Sequence, residues 1–172
     1  MTQKDKELLL KDLCSRLPYG LKGRVYAEVS NGEYDINGDM IFFDSPFDVI
    51  LDNINTSTEE IHVIAIGNED TVDFIEDQQT WGDPYTIDNF KPYLRSMSSM
   101  TEEEKKEYNS FIGGIEPYDW DFSAYPIEYK YVYEWDIKNY IDFLNAHHFD
   151  YRGLIPKGFA IEVTEDNNPY KK

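Results

Sequence analysis

Residues 131–158 read YVYEWDIKNYIDFLNAHHFDYRGLIPKG. Ile137, Tyr140, Ile141 and Leu144 recur at i, i+3, i+4 and i+7, which places them on one face of a helix. Phe143 widens that stripe, and Asp136 stands before it as an N-cap whose carboxylate accepts from open backbone N–H groups. His147 and His148 fall in the last turn, where the helix dipole favours a cation. A helix of about a dozen residues is marginal alone in water, so the stripe predicts a partner surface within the fold. Gly153, Pro156 and Gly158 then punctuate an aromatic segment as turns. Residues 159–163 alternate loosely as a short final strand, and the polar end 166–172 is expected to fray.

Toward the N-terminus, residues 4–17 predict a first helix, with Leu9, Leu10, Leu13 and Leu17 on its apolar face. Cys14 is expected beside that face as a small buried hydrophobe, and Pro18 and Gly20 stop the helix. Residues 22–88 change grain to strands and turns. Strand patterns fall at 24–29, 40–43, 49–51, 61–66, 72–75 and 85–87, with Asn31-Gly32 and Asn37-Gly38 as hairpin-turn dipeptides. Residues 91–95 read as a connector. Thr101 and Glu104 then form a capping box for a helix to about Ile112, where Gly113-Gly114 stops it. Tyr108, Phe111 and Ile112 give that helix a thin apolar edge, which predicts a surface position. Residues 116–128 read as an ordered acidic loop and 129–135 as one more strand.

The chain has 172 residues, 34 acids against 16 Lys and Arg, and a formal charge of −18. Its 14 Tyr and 10 Phe argue against wholesale disorder despite that charge. A negative field of this size repels nucleic acid and anionic membranes, and favours cationic partners. One cysteine allows no internal disulfide, which predicts a reducing compartment. The first residues show no secretory pattern, and no stretch approaches the roughly 18 apolar residues of a membrane span.

Candidate sites are sparse. His147, His148 and Asp150 place three possible metal ligands together, but adjacent helical residues point about 100° apart. A structural or capping role is the stronger expectation for both histidines, with His62 in a strand pattern elsewhere. Asp119, Asp121 and Glu128, with Trp120 and Tyr125, are candidates for a carbohydrate or cation pocket, weighed against a plain solvated loop. Ser96, Ser98 and Ser99 precede a capping box and lack a G-x-S-x-G context, so a turn role is expected. Arg95 and Arg152, each near a tyrosine, are expected to anchor buried ion pairs. Glu102, Glu103, Glu104, Asp119, Trp120 and Asp121 are the candidate interaction surface.

Three stretches, LKDLCSRLPYG at 10–20, KPYLRSMSSMTEEE at 91–104 and NAHHFDYRGLI at 145–155, resemble an uncharacterised family of small acidic proteins from gut Bacteroides species and their mobile elements. That resemblance implies a bacterial or phage-borne cytoplasmic protein and carries no catalytic residue with it. The fold expectation is α+β in a single domain, 1–172. It comprises an N-terminal helix (1–20), an antiparallel sheet or small barrel (21–90), and two helices with irregular aromatic segments (91–172). Leu13, Ile64, Ile141 and Leu144 are expected to be buried together. The expected function is a non-enzymatic acidic protein-interaction module, without cofactor, nucleic-acid or membrane binding. Its partner is expected to be a basic or nucleic-acid-binding protein. The alternatives are an acidic nucleic-acid mimic filling a basic protein groove, and a small metal-dependent hydrolase using His147, His148 and Asp150.

Overall fold

The structure, a computed structural model, describes residues 1–81, 84–111 and 134–171. The fold is α+β, and the chain divides into two units, Met1–Tyr93 with Pro169–Lys172, and Leu94–Asn168.

In the first unit, helix α1 spans Gln3–Arg16, and Thr2 caps it by accepting from Asp5 N at 3.2 Å. Its buried residues are Leu9, Asp12, Leu13 and Arg16, a stripe at i, i+3, i+4 and i+7. Arg16 forks onto Asp12, Nε to Oδ2 at 2.7 Å and Nη2 to Oδ1 at 3.0 Å, with both side chains fully buried. The two charges satisfy each other, so the buried face turns toward them and away from Leu10 and Leu17, which are half-buried. Cys14 lies about 150° from the centre of that stripe. It is exposed, contrary to the expectation of a buried thiol.

Strands β1 (Lys22–Tyr34) and β2 (Met40–Asn55) form one long antiparallel hairpin. The chain does not reverse at Asn31-Gly32. That dipeptide sits inside β1, where the register slips between Ser30 and Tyr34. The reversal comes at the second dipeptide. Asp35 accepts from Asn37 N and Asp39 N through its carboxylate, and Gly38 takes φ +88. β3 (Glu60–Ala65) pairs with β2, and β4 (Phe90–Leu94) pairs with β1, giving the order β3-β2-β1-β4. The sheet is open rather than a barrel. Pro92 disguises β4 as a connector in the sequence, yet it sits opposite Gly23. A methyl group at Gly23 would overlap the buried Phe90 ring.

Residues 72–75 are not a strand. They lie in helix α2, Glu69–Trp81, which packs on β3. Asn68 starts it by accepting from Thr71 N at 3.0 Å. Val72, Ile75 and Gln79 then fall at helical spacing, and Phe74 stacks on Phe47 at 5.1 Å. Residues 85–87 supply an isolated bridge, Glu60 to Thr86, and a short 3-10 turn rather than a full strand. The C-terminal residues do not all fray. Tyr170 accepts from Lys22 N at 3.1 Å and donates to Tyr93 O at 3.0 Å, which satisfies backbone groups at the mouth of the hairpin.

In the second unit, α3 (Glu102–Phe111) and α4 (Glu134–Ala146) pack through aromatics. Tyr108 is buried and meets Tyr140 and Phe143, so α3 docks by the edge that seemed too thin. α4 begins before Asp136, which therefore lies inside the helix rather than at its cap. It ends in a Schellman arrangement. Phe149 N donates to Leu144 O, His148 N donates to Asn145 O, and His148 occupies the left-handed position at φ +57. Strand β5 is Ile161–Glu162, and Val163 N next to it donates to Leu94 O. The expectations for 112–133, including the acidic loop and most of the strand at 129–135, lie outside the described residues.

Of the four residues expected in one core, Leu13 is buried in the first unit and Leu144 in the second, while Ile141 is half-buried. Ile64 is 50% exposed. Its neighbours Ile61 and Val63 take the inward positions of β3, so the alternation turns Ile64 outward.

Two measurements check this packing. Asp12→Ala strands a buried guanidinium and should cost about 3–5 kcal/mol in urea unfolding, whereas Asp12→Leu with Arg16→Met should recover most of the loss. Leu144→Ala should cost about 2–5 kcal/mol, and a loss below about 0.5 kcal/mol would show that α4 is not seated as described.

Candidate interaction surface

Residues 25–90 contain 16 of the 34 acids and no Lys or Arg. Fold geometry decides where those carboxylates point. On α2 the apolar positions Val72 and Ile75 face β3, so Glu69, Asp70, Asp73, Glu76 and Asp77 are all exposed. At 100° per residue these five span about 120° of the helix circumference, a continuous acidic stripe. On the hairpin, Glu28, Glu33, Asp35 and Asp39 are exposed as well. The cations that do approach come from the flanks. Arg24 donates to Asp48 at 2.9 Å, and Lys6 pairs with Glu59 and Asp88. Asp48 also accepts from the Tyr93 hydroxyl at 2.8 Å. Burial, with that bond, pushes the Tyr93 hydroxyl up to about 12.

A cavity of about 250 Å³ opens at the bulged end of the β2–β3 ladder, lined by Asn53, Asn55, Glu60, Ile61, His62, Gln79 and Pro84. Its ionisable groups are already engaged in part. His62 pairs with Asp52 at 3.2 Å, and the Gln79 amide bonds both the N–H and the carbonyl of Val63. Among the described residues no three His, Cys, Asp or Glu side chains are grouped to hold a metal ion.

The expected site residues of the second unit have structural partners. Asp150 accepts from Leu154 N and Ile155 N, both at 2.8 Å, and so pins the turn after α4. His148 is the buried C-terminal cap residue, and His147 meets Glu104 through Nδ1 at 3.0 Å. Glu102 bonds Lys105, and Glu103 is exposed. Glu104 is mostly buried and acts as a hub. Arg95 donates to it through Nη1 at 2.6 Å and Nη2 at 2.8 Å, and Thr101 N donates at 2.8 Å to close the capping box. The pair with Glu104 makes Arg95 an ion-pair anchor, half-buried rather than buried, and Arg95 also lies over the Phe149 ring at 4.4 Å. Arg152 stacks on Tyr151 and donates to its hydroxyl. Ser96, Ser98 and Ser99 bond within their own turn. Asp119, Trp120, Asp121, Tyr125 and Glu128 lie outside the described residues.

Sequence reading missed two features of the first unit. The cation-free span between Arg24 and Lys91 was visible in composition by segment, not in whole-chain totals. The acids from Glu69 to Asp77 are visible as a cluster in the sequence, but their alignment on one helical face was hidden because Val72, Phe74 and Ile75 imitate a strand.

Glu104 yields a pH prediction. The Arg95 guanidinium, with smaller help from Thr101 N and His147, lowers its carboxyl from 4.5 to about 2. The folded form therefore gains stability above the unfolded value of 4.5 and loses it as pH falls from there toward 2. Glu104→Gln should lower stability at pH 7 by about 2–3 kcal/mol and flatten the acid limb of unfolding between those values. An acid limb unchanged by the substitution would place the sensitivity elsewhere.

In comparison with known proteins, the chain matches no family model, no curated protein and no solved structure.

Proposed function

We propose that this protein is a non-enzymatic binding module for a basic partner protein. The observation that carries the reading is the cation-free span 25–90, in which the hairpin and α2 leave Glu28, Glu33, Asp35, Asp39, Glu69, Asp70, Asp73, Glu76 and Asp77 exposed. A surface of one sign steers an oppositely charged partner and suppresses anionic ones.

A sharper second reading is mimicry of nucleic acid, favoured by the α2 stripe. From Glu69 to Asp77 the helix rises about 12 Å and carries five carboxylates. B-DNA presents about seven charges over the same length. The two densities are close enough for a groove built for phosphates to accept the helix.

Competition tests both readings. DNA-binding proteins with basic grooves should lose DNA when this protein is added at low salt, and the effect should weaken steeply as salt rises. Asp73→Asn with Glu76→Gln and Asp77→Asn should relieve the inhibition without unfolding the helix, because all three side chains are exposed. Inhibition that ignores salt, or no inhibition across the panel, counts against the mimic. Failure to bind any basic protein at low salt overturns the broader reading.

A further inference from the structure

β4 pairs with β1 from Gly23 to Val25, and β3 pairs with β2 from Val49 to Asn55. Beyond those registers, residues 26–30 and 34 of β1 form ladder pairs with residues 42–46 and 40 of β2 alone among the described residues. The hairpin thus runs out of the sheet as a two-stranded arm. Its register puts Tyr34 opposite Met40, with Phe42 two residues along β2 on the same face. Those side chains are 61%, 42% and 56% exposed, and Ile36 at the turn is fully exposed. Three large apolar side chains on one face of an otherwise acidic arm are an interaction feature.

The other strand edge of this unit is handled differently. On β3, Ile61 N donates to Tyr85 O, and Gln79 closes both backbone groups of Val63. Open edges are normally protected by Lys, Pro or covering segments. The arm has no Lys, and β1 has no Pro from Lys22 to Tyr34; its one protective irregularity is the register slip between Ser30 and Tyr34, which leaves the edge from Tyr26 to Ser30 regular. The β2 edge is the poorer template. Pro46 lacks an N–H there, and Ile66 N already takes Asp48 O.

We propose that the β1 edge of this arm, residues 26–34, is a docking strand for an extended segment of another protein that carries basic and apolar side chains on both of its faces. The segment continues the line that β4 leaves at Phe90, adding backbone hydrogen bonds to β1. On the face it shares with Tyr34, Met40 and Phe42 the segment sets a cation beside Glu28 and an apolar side chain beside Tyr34, and on the other face a cation beside Glu33; both acids are exposed. A second copy of this chain is a poor occupant, because residues 25–90 hold 16 acids and no cation. The inference rests on the reading of the protein as a module for a basic partner.

The probe is a fluorescent ten-residue peptide repeating Lys-Lys-Val-Val, which presents both residue types on each face of a strand, together with the same peptide N-methylated at every second residue. Charge and side chains are shared, but the methylated form cannot pair as a strand. The unmethylated peptide should bind the full chain, slow amide exchange within residues 26–34, and bind about ten-fold more weakly once methylated. Tyr34→Ser with Phe42→Ser, a charge-neutral change at exposed positions, should weaken binding about ten-fold through lost apolar contact. Circular dichroism of that variant checks that the fold is kept. Salt-dependent binding with no protection on 26–34, or with equal affinity for both peptides, overturns the docking strand and leaves the module reading standing. No binding of either peptide at low salt overturns both. A dimer of the chain alone that Tyr34→Ser with Phe42→Ser abolishes would make a second copy the occupant and overturn the proposal.

Discussion

The β1–β2 ladder is the constraint on which the first unit is built. It runs from Lys22 opposite Ile50 to Tyr34 opposite Met40, and both other strand pairings of that unit attach to its inner half. Where it is flanked, alternation places Val25, Val49 and Leu51 in the core. Beyond the flanked half, Tyr34, Met40 and Phe42 lie on the face opposite Val25 and Val49 and stay in solvent. A two-stranded ribbon alone is marginally stable in water, so the arm depends on its continuity with the flanked half. Gly23 is part of that dependence, since the Phe90 ring of β4 lies where a side chain would be.

Charge organises the rest. Cations are scarce, and many of them are committed inside their own unit. Arg16 is on Asp12, Arg24 on Asp48, Lys6 on Glu59 and Asp88, Arg95 on Glu104, and Lys105 on Glu102. The carboxylates without such partners include the five on α2, which the helix period gathers into one stripe. Like charges at such spacing oppose each other by a few tenths of a kcal/mol per pair, a cost the buried side of α2 offsets through Ile75 and the Phe47–Phe74 stack. The second unit uses the same economy differently. Glu104 ties the start of α3 to Arg95 and to His147 after α4, so one mostly buried carboxylate joins three segments.

Much of the fold was legible as local pattern. The α+β class, α1, the capping box at Thr101 and Glu104, the stripe of α4 and the strand at 161–162 all follow from periods of 3.6 or 2 and from cap chemistry. The failures share a cause. At 72–75, a helix of 13 residues was read through a four-residue window in which Val, Phe and Ile imitate a strand. At Asn31-Gly32, a favourable turn dipeptide was overridden by a ladder that continues through it with a register slip. At α1, a leucine count set the face, whereas a buried ion pair shifted it and left Cys14 in solvent.

By itself, then, the sequence determined the charge, its segregation into a cation-free span, and the kinds of element the chain forms, because these depend on residue type and short-range spacing. The tertiary structure decided which carboxylates share a face, which cations are consumed internally and which strand edge stays open. Those outcomes depend on contacts between residues far apart in the chain, such as Gln79 on Val63, Asp48 beneath Arg24 and Tyr93, and Tyr170 at Lys22. No local window contains both members of such a pair, so their consequences for surface and edge became visible once the chain had folded.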